Sequence, residues 1–288
     1  MPVFNNDQWA IHHGDCIPHM MEEMPEESID FAVFSPPFPS LYAYSDAPGD
    51  IGNVDAMAGE AQVHLSFMFH GLARVLKPGR SAVVHVCQIP RMKRSGGVGL
   101  CDFRGTNIRL GERAGLTYEY DWTVRKNPQA QAIRTRAREL QFSGLENDRA
   151  AQRGTLNDYL IKFRKPGENQ VKIDSENQVS RNDWIAWAEG CWDDVHETDT
   201  LNTAAAKSEE DTKHICPLQL DLIERCILLW SNPGEVVLTP FMGVGSEVYG
   251  SVNLGRRGVG CELKPTYFDQ AAKNLSKLIA NRVQTKVE

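Results

Sequence analysis

Apolar positions recur along this chain at two spacings. Leu65, Met68, Phe69, Leu72, Val75 and Leu76 fall three and four residues apart, the stripe of a helix with one buried face, and Lys77-Pro78-Gly79 reads as its stop. Phe268, Ala271, Ala272, Leu275, Leu278 and Ile279 repeat the stripe late in the chain, with Pro265 near the first turn. Residues 218–230 give a third helix, opened by Pro217, and 17–24 and 129–141 are shorter candidates. Between them lie brief runs rich in β-branched and aromatic residues: 9–16, 29–34, 81–87, 116–123, 156–165, 235–239 and 258–262. Their length and their flanking breakers mark them as strands. Strand and helix alternate, which predicts an α/β fold with a mostly parallel sheet. No internal repeat interrupts that order.

Three stretches depart from it. Residues 39–59 form a polar, Gly- and Pro-bearing loop that holds Tyr42, Tyr44, Asp46 and Asp50, and they read as a flap over a pocket or as a disordered segment. Residues 168–181 are polar without periodicity. Trp184, Trp187 and Trp192 then crowd together, either to stack on bases or to cap a small core. The expected organisation is a first half at 1–165, a non-core region at 166–213 and a second half at 214–288.

Charge sharpens this division. The chain of 288 residues carries a net −7, which argues against a protein that coats nucleic acid. From Arg125 to Lys165, however, ten Lys or Arg stand against four acids, whereas Glu189 to Asp211 holds eight acids and one lysine. A local basic face is what phosphate contact requires, although a solvated helix has the same composition. Arg91, Lys93 and Arg94 in a Gly-rich turn and Arg134, Arg136 and Arg138 on the 129–141 helix are the candidate phosphate contacts. Seven scattered cysteines without a Cys-x-x-Cys pair read as reduced thiols, not as a disulfide frame or a zinc site. With no secretory signal pattern at the start and no apolar run of membrane-spanning length, the expected location is cytoplasmic and no membrane partner is expected.

The chemistry starts where the 29–34 strand ends. Pro36 and Pro37 lock the backbone and remove two N–H donors, which leaves carbonyls free beside the Ser35 hydroxyl. Phe38 adds a flat plate. A polar edge reader next to a stacking surface suits a planar heterocycle with an exocyclic amine. A second constellation lies in the last third: strand, Gly243-Val244-Gly245 loop, helix, strand, Glu262. Glycines let the backbone approach a nucleoside, and an acid at the next strand end accepts from ribose hydroxyls. No third glycine completes a dinucleotide pattern. Asp15 falls at the end of the first strand and also reads as a turn residue. His85 reads as a core or strand-end histidine rather than a catalyst.

Ser35-Pro36-Pro37-Phe38 resembles the (Ser/Asp/Asn)-Pro-Pro-(Phe/Tyr) tetrad of DNA methyltransferases that act on exocyclic amino nitrogens. With the tetrad first and the nucleoside loop last, the chain resembles their β-class. The resemblance implies a Rossmann-like methyltransferase fold with a mostly parallel, circularly permuted sheet and a small inserted target-recognition region. It implies S-adenosylmethionine as cofactor, double-stranded DNA as partner, a flipped adenine or cytosine as target, and a homodimer as a family habit. By the same resemblance Ser35, Pro36, Pro37 and Phe38 hold the base. Phe241, Gly243, Gly245 and Ser246 line the cofactor, Glu262 takes its ribose, Asp15 its adenine amine, and the segment from His214 to Pro217 its methionine end.

Two departures stand out. Thr239-Pro240-Phe241 replaces the usual Asp-Pro-Phe, and Gly243-Val244-Gly245-Ser246 replaces Gly-Ser-Gly-Thr. Glu247 is a candidate substitute for the missing carboxylate. Methylation of an RNA amine or a protein glutamine, and a catalytically inactive DNA-binding regulator, are the rival readings.

Overall fold

Residues 29–34 explain the architecture by their two faces. Ile29, Ala32 and Phe34 pack into one apolar cluster, and Phe31 and Val33 into another on the opposite side. All six residues of the strand are buried, as in a strand covered on both faces. Each fully buried phenylalanine contributes roughly 1.5–3 kcal/mol relative to exposure.

The computed structural model describes residues 7–39, 49–53, 59–91, 99–129, 131, 145–147, 149–150, 154–171, 179–201 and 217–285. In chain order the first half runs β1 (Trp9–His13), α1 (Cys16–Pro18), a π-helical turn (His19–Glu23), β2 (Ile29–Phe34), a 3-10 turn (Ile51–Asn53), α2 (Gly59–Val75), β3 (Leu76–Cys87), β4 (Ile89–Pro90), β5 (Leu100–Cys101), α3 (Phe103–Arg113), β6 (Thr117–Val124) and β7 (Asp158–Arg164). The second half follows with α4 (Arg181–Trp187), β8 (Cys191–Trp192), α5 (Leu220–Trp230), β9 (Val236–Thr239), α6 (Ser246–Asn253), β10 (Arg257–Glu262) and α7 (Pro265–Thr285).

Eight strands form one sheet in the order β1-β10-β9-β2-β3-β7-β6-β8. From β1 to β3 the pairing is parallel, β7 inserts antiparallel between β3 and β6, and β8 lies parallel to β6. The expected mostly parallel sheet is therefore present, with the last-third strands β9 and β10 set beside the first-half strands β1 and β2. The helices α2 and α3 cover one face through Leu65, Met68, Phe69, Leu72 and Leu110. On the other face α5 brings Leu222, Ile223, Cys226 and Ile227. At the β1 edge, α6 and α7 pack through Val248, Val252, Ala271 and Leu275.

The short helix expected over 17–24 is present as α1 running directly into the π turn. One boundary needs correction. Lys77-Pro78-Gly79 does not separate α2 from β3. The helix ends at Val75 and the strand begins at Leu76, with a register shift against β2 that absorbs the proline and Gly79 at φ +72°. The tryptophans take one of the two roles open to them. Trp192 is buried in the second core, next to Trp122 and Trp187, and β8 joins the main sheet. Capping a core is thus what Trp192 and Trp187 do, while Trp184 stays exposed.

The amino ends of the central strands are tied by buried charges. Asp30 accepts from Lys77 Nζ at 2.5 Å and from the Val236 N–H at 2.9 Å, and Arg80 pairs with Glu235 while donating to the Asp30 carbonyl at 2.8 Å. These bonds join β2, β3 and β9 at the end opposite the strand termini that carry the candidate site.

Candidate active site

In an open α/β sheet a ligand binds at the carboxyl ends of the strands, where the connections diverge to either side. Here that point lies between β9, whose helix leads to β10, and β2, whose helix leads to β3. A cleft opens there, where a ligand would be expected. Its walls include Gly14 and Asp15 after β1, Ser35, Pro36, Pro37 and Phe38 after β2, Phe241 and Gly243 after β9, Ser246 and Glu247 at the start of α6, and Glu262 at the end of β10. Pro217 also lines it. The Ser35 turn and the Gly243 loop, about 200 residues apart in the chain, share one cavity.

Each wall has a local cause. The loop after β9 turns through Gly243 at φ +55° and Gly245 at φ +91°, conformations that favour glycine. A Cβ on Gly243 would meet no atom within 4 Å, so this backbone faces open space. The Gly243 N–H donates to Glu262 Oε2 at 2.8 Å, and the Lys264 N–H donates to Oε1 at 2.8 Å. These bonds aim the carboxyl at the loop. Burial pushes its pKa up to about 7, against those two bonds, with Asp50 adding repulsion. Asp15 accepts the Ile17 N–H at 2.8 Å and so caps the short α1 while lining the cleft; its turn role and its place in the wall coexist. Phe38 meets Phe103 edge-on at 5.7 Å, and Phe241 tilts against Phe34 at 6.0 Å, which fixes both aromatic plates.

Glu247 stands out electrostatically. It is 4% exposed and lines the cleft. Burial pushes its carboxyl up to about 8; a bond from its own N–H works against this and Glu262 adds to it. Ser246 beside it is buried with a hydroxyl that lacks a partner among the described residues. Thr239 lies behind the wall, 1% exposed, and its hydroxyl is likewise unmatched. Gly245 is also behind the wall, so close to α7 that a Cβ on it would come within 3.1 Å of Ala271 Cβ. An unmatched hydroxyl, an open glycine cradle and a buried carboxyl without a cation are features that a cationic nucleoside such as S-adenosylmethionine would satisfy.

Of the expected phosphate contacts only Arg91 lies among the described residues, and it is not in this cleft. Arg91 is exposed and lines a separate hollow with Pro39 and Phe103. Lys93, Arg94, Arg134, Arg136, Arg138 and His214 lie outside the described residues, as does most of the 39–59 loop. Within the described part of the basic stretch several charges are paired with carboxylates: Lys126 with Asp158, Lys162 and Arg164 with Glu119, Lys165 with Glu27, and Arg125 with Asp193. Arg149 is exposed and donates to the Leu145 carbonyl.

His85, expected as a core or strand-end histidine, is indeed buried near the end of its strand. His85, on β3, places Nδ1 3.2 Å from Ser35 Oγ and Nε2 2.9 Å from Asp158 Oδ2. Asp158 in turn meets Lys126 Nζ at 2.8 Å. A histidine two residues before a strand end, one strand over from the tetrad, was the signal available in the sequence. Its partners come from β7 and from just beyond β6, and only the antiparallel insertion brings them together.

The sheet order and a cleft at its switch point define the Rossmann-like methyltransferase class. Within that class the chain belongs to the DNA methylase family of N6/N4 methyltransferases, whose model matches residues 29–273. Among curated relatives, the type II methyltransferase M.BamHI of Bacillus amyloliquefaciens is 24% identical over 264 residues, 91% of this chain and 56% of that protein. M1.MboII of Moraxella bovis is 43% identical over 68 residues, 24% of this chain and 26% of that protein. The chain thus spans between about a quarter and a little over half of these two relatives. Among solved structures, the protein TTHA0409 of Thermus thermophilus, complexed with S-adenosyl-L-methionine, superposes with a TM-score of 0.69 at 20% identity, covering 94% of this chain and 96% of that one. PvuII DNA methyltransferase (cytosine-N4-specific) gives 0.66 at 19% identity over 93% and 86%. At such identities these likenesses establish the fold. No helix among the described residues is long and apolar enough to cross a membrane.

Proposed function

We propose that this protein is a DNA methyltransferase that uses S-adenosylmethionine and acts on the exocyclic amine of a flipped adenine or cytosine. The observation that carries the reading is the single cleft walled both by Ser35-Pro36-Pro37-Phe38 and by the Gly243 loop with Glu262. The cofactor, when bound, supplies a methyl group on a sulfonium, a leaving group that needs no acid. Glu262 would accept from its ribose, Gly243 gives room for its backbone-side edge, and Glu247 would pair with its positive charge.

The demanding partner is the amine, whose lone pair is delocalised into the ring. The Ser35 hydroxyl and the Pro36 carbonyl accept its N–H groups, turn the lone pair toward the methyl and favour pyramidal nitrogen. Holding both reactants in line contributes several kcal/mol, and acceptors already in place stabilise the charge that develops on nitrogen. Extracting the base costs a few kcal/mol, which stacking on Phe38 partly offsets. No covalent enzyme intermediate is needed: Cys226 and Cys261 are buried with their thiols pushed up, so they stay unreactive.

The test is purified protein with methyl-labelled cofactor and a mixture of duplex DNA, RNA and protein. Label is expected in DNA and absent with Ser35→Ala. Label in RNA or protein alone refutes the reading.

A further inference from the structure

A serine in the base-holding turn poses a problem that an aspartate does not. Its oxygen carries a proton of its own, so it accepts from an amine only if that proton points elsewhere. After transfer, the methylated nitrogen holds one proton too many, and a serine hydroxyl cannot keep it.

The residues behind Ser35 answer both needs. His85 Nδ1 lies 3.2 Å from Ser35 Oγ and His85 Nε2 lies 2.9 Å from Asp158 Oδ2. Lys126 Nζ lies 2.8 Å from the same carboxylate. His85 and Asp158 are each 8% exposed and Lys126 4%. Charges buried this deeply persist only when paired. Burial would raise the Asp158 pKa, but the charge of a protonated His85, its hydrogen bond, and then the charge and hydrogen bond of Lys126 outweigh it and hold the carboxyl below its usual range; the Nε2 and Nζ hydrogen bonds persist when the ring is neutral. An ionised Asp158 accepts from Nε2–H and so selects that tautomer. Nδ1 then presents a lone pair that accepts the Ser35 hydroxyl proton, and the serine lone pairs face the cleft.

The geometry points to His85 as a positioning residue and proton acceptor behind Ser35, in a Ser35–His85–Asp158 relay anchored by Lys126. This rests on the amino-methyltransferase reading above. As the N–C bond forms and the C–S electron pair returns to sulfur, Ser35 takes one proton from the now positive nitrogen and passes its own to Nδ1. His85 becomes an imidazolium against Asp158 and releases that proton to solvent after the product leaves. The balance is a neutral methylamine, a thioether and one proton. No metal or oxidant is required.

The charged groups facing His85 are Asp158 from β7 and, through it, Lys126; Ser35 faces it from the end of β2. The imidazole must be neutral to act as the acceptor.

Two measurements test this. In full-length protein labelled with ¹⁵N-histidine, without cofactor or DNA, the resonances lost in His85→Gln belong to His85. They are expected to show a neutral ring protonated on Nε2, with the Nδ1 signal moving in Ser35→Ala. Protonation on Nδ1 overturns the relay. In single-turnover transfer to DNA, His85→Gln is expected to slow the step on the order of 100-fold or more and to keep cofactor affinity. If that variant folds poorly, Asp158→Asn takes its place, with the same slowing expected. A variant with wild-type rate overturns the relay and leaves the methyltransferase reading intact. Wild-type protein that transfers nothing to DNA overturns that reading, and the relay's role with it.

Discussion

Glu247→Gln replaces a buried carboxyl that lines the cleft with a neutral amide of the same size. Burial raises that carboxyl from 4.5 to about 8. Each tenfold change in acidity is worth 1.36 kcal/mol, so holding this group ionised in the cleft costs on the order of 4–5 kcal/mol. A group whose pKa is raised on folding gives its full stability below the unfolded pKa and loses it as pH climbs through the folded one. The ligand-free wild-type protein should therefore lose stability between pH 4.5 and about 8. Glu262, raised to about 7, adds a smaller loss that both proteins share. Denaturant melts at pH 5 and pH 8.5 should show the two proteins alike in acid and the variant the more stable in base. Binding should move the opposite way. A cation in the cleft pairs with the ionised carboxyl, so wild-type affinity for S-adenosylmethionine should rise with pH up to about 8. The variant should bind roughly 10- to 100-fold more weakly, the worth of a charged hydrogen bond, with a flatter pH dependence by calorimetry. Equal affinity and equal pH dependence in the two proteins would refute the assignment of Glu247 as the cofactor's counter-charge.

Further perturbations probe other links. Ser35→Ala should abolish methyl transfer while leaving cofactor affinity within about twofold, because in the proposed function Ser35 holds the base and not the cofactor; an equal loss of cofactor binding would contradict this. Gly243→Ala places a methyl in open space at φ +55°, so strain should cost about 1–2 kcal/mol in melts while cofactor affinity falls further than stability does. Arg80→Leu leaves Glu235 without its cation and should destabilise by roughly 3–5 kcal/mol. A melt shifted by less than about 1 kcal/mol would show the pair to be dispensable.

The sheet was legible because its central strands are apolar on both faces and its helices carry regular stripes. Ile29–Phe34 emerged with the bounds the pattern predicts. The junction after α2 was misread because Lys77-Pro78-Gly79 is turn chemistry by local rules, yet pairing of Leu76 with Ile29 draws it into a strand. The tetrad, the glycine loop and Glu262 were legible because each combines residue type with a strand end. The relay was not. Lys126 counts as one more cation in a basic stretch and Asp158 as one more polar strand position, and nothing local says that each is buried against the other. For the same reason the charge sum over 125–165 overstated the basic face: cross-strand pairs such as Lys162 and Arg164 with Glu119 depend on the register of β6 against β7.

The central claim is that a sulfonium methyl and an unstacked nucleobase amine meet in the cleft between the Ser35 turn and the Gly243 loop. Mass spectrometry of nucleosides from duplex DNA treated with the protein and S-adenosylmethionine tests it most directly. The account predicts N6-methyladenine or N4-methylcytosine, lost with Ser35→Ala. Methylation at cytosine C5, or modified bases that persist in that variant, would contradict it.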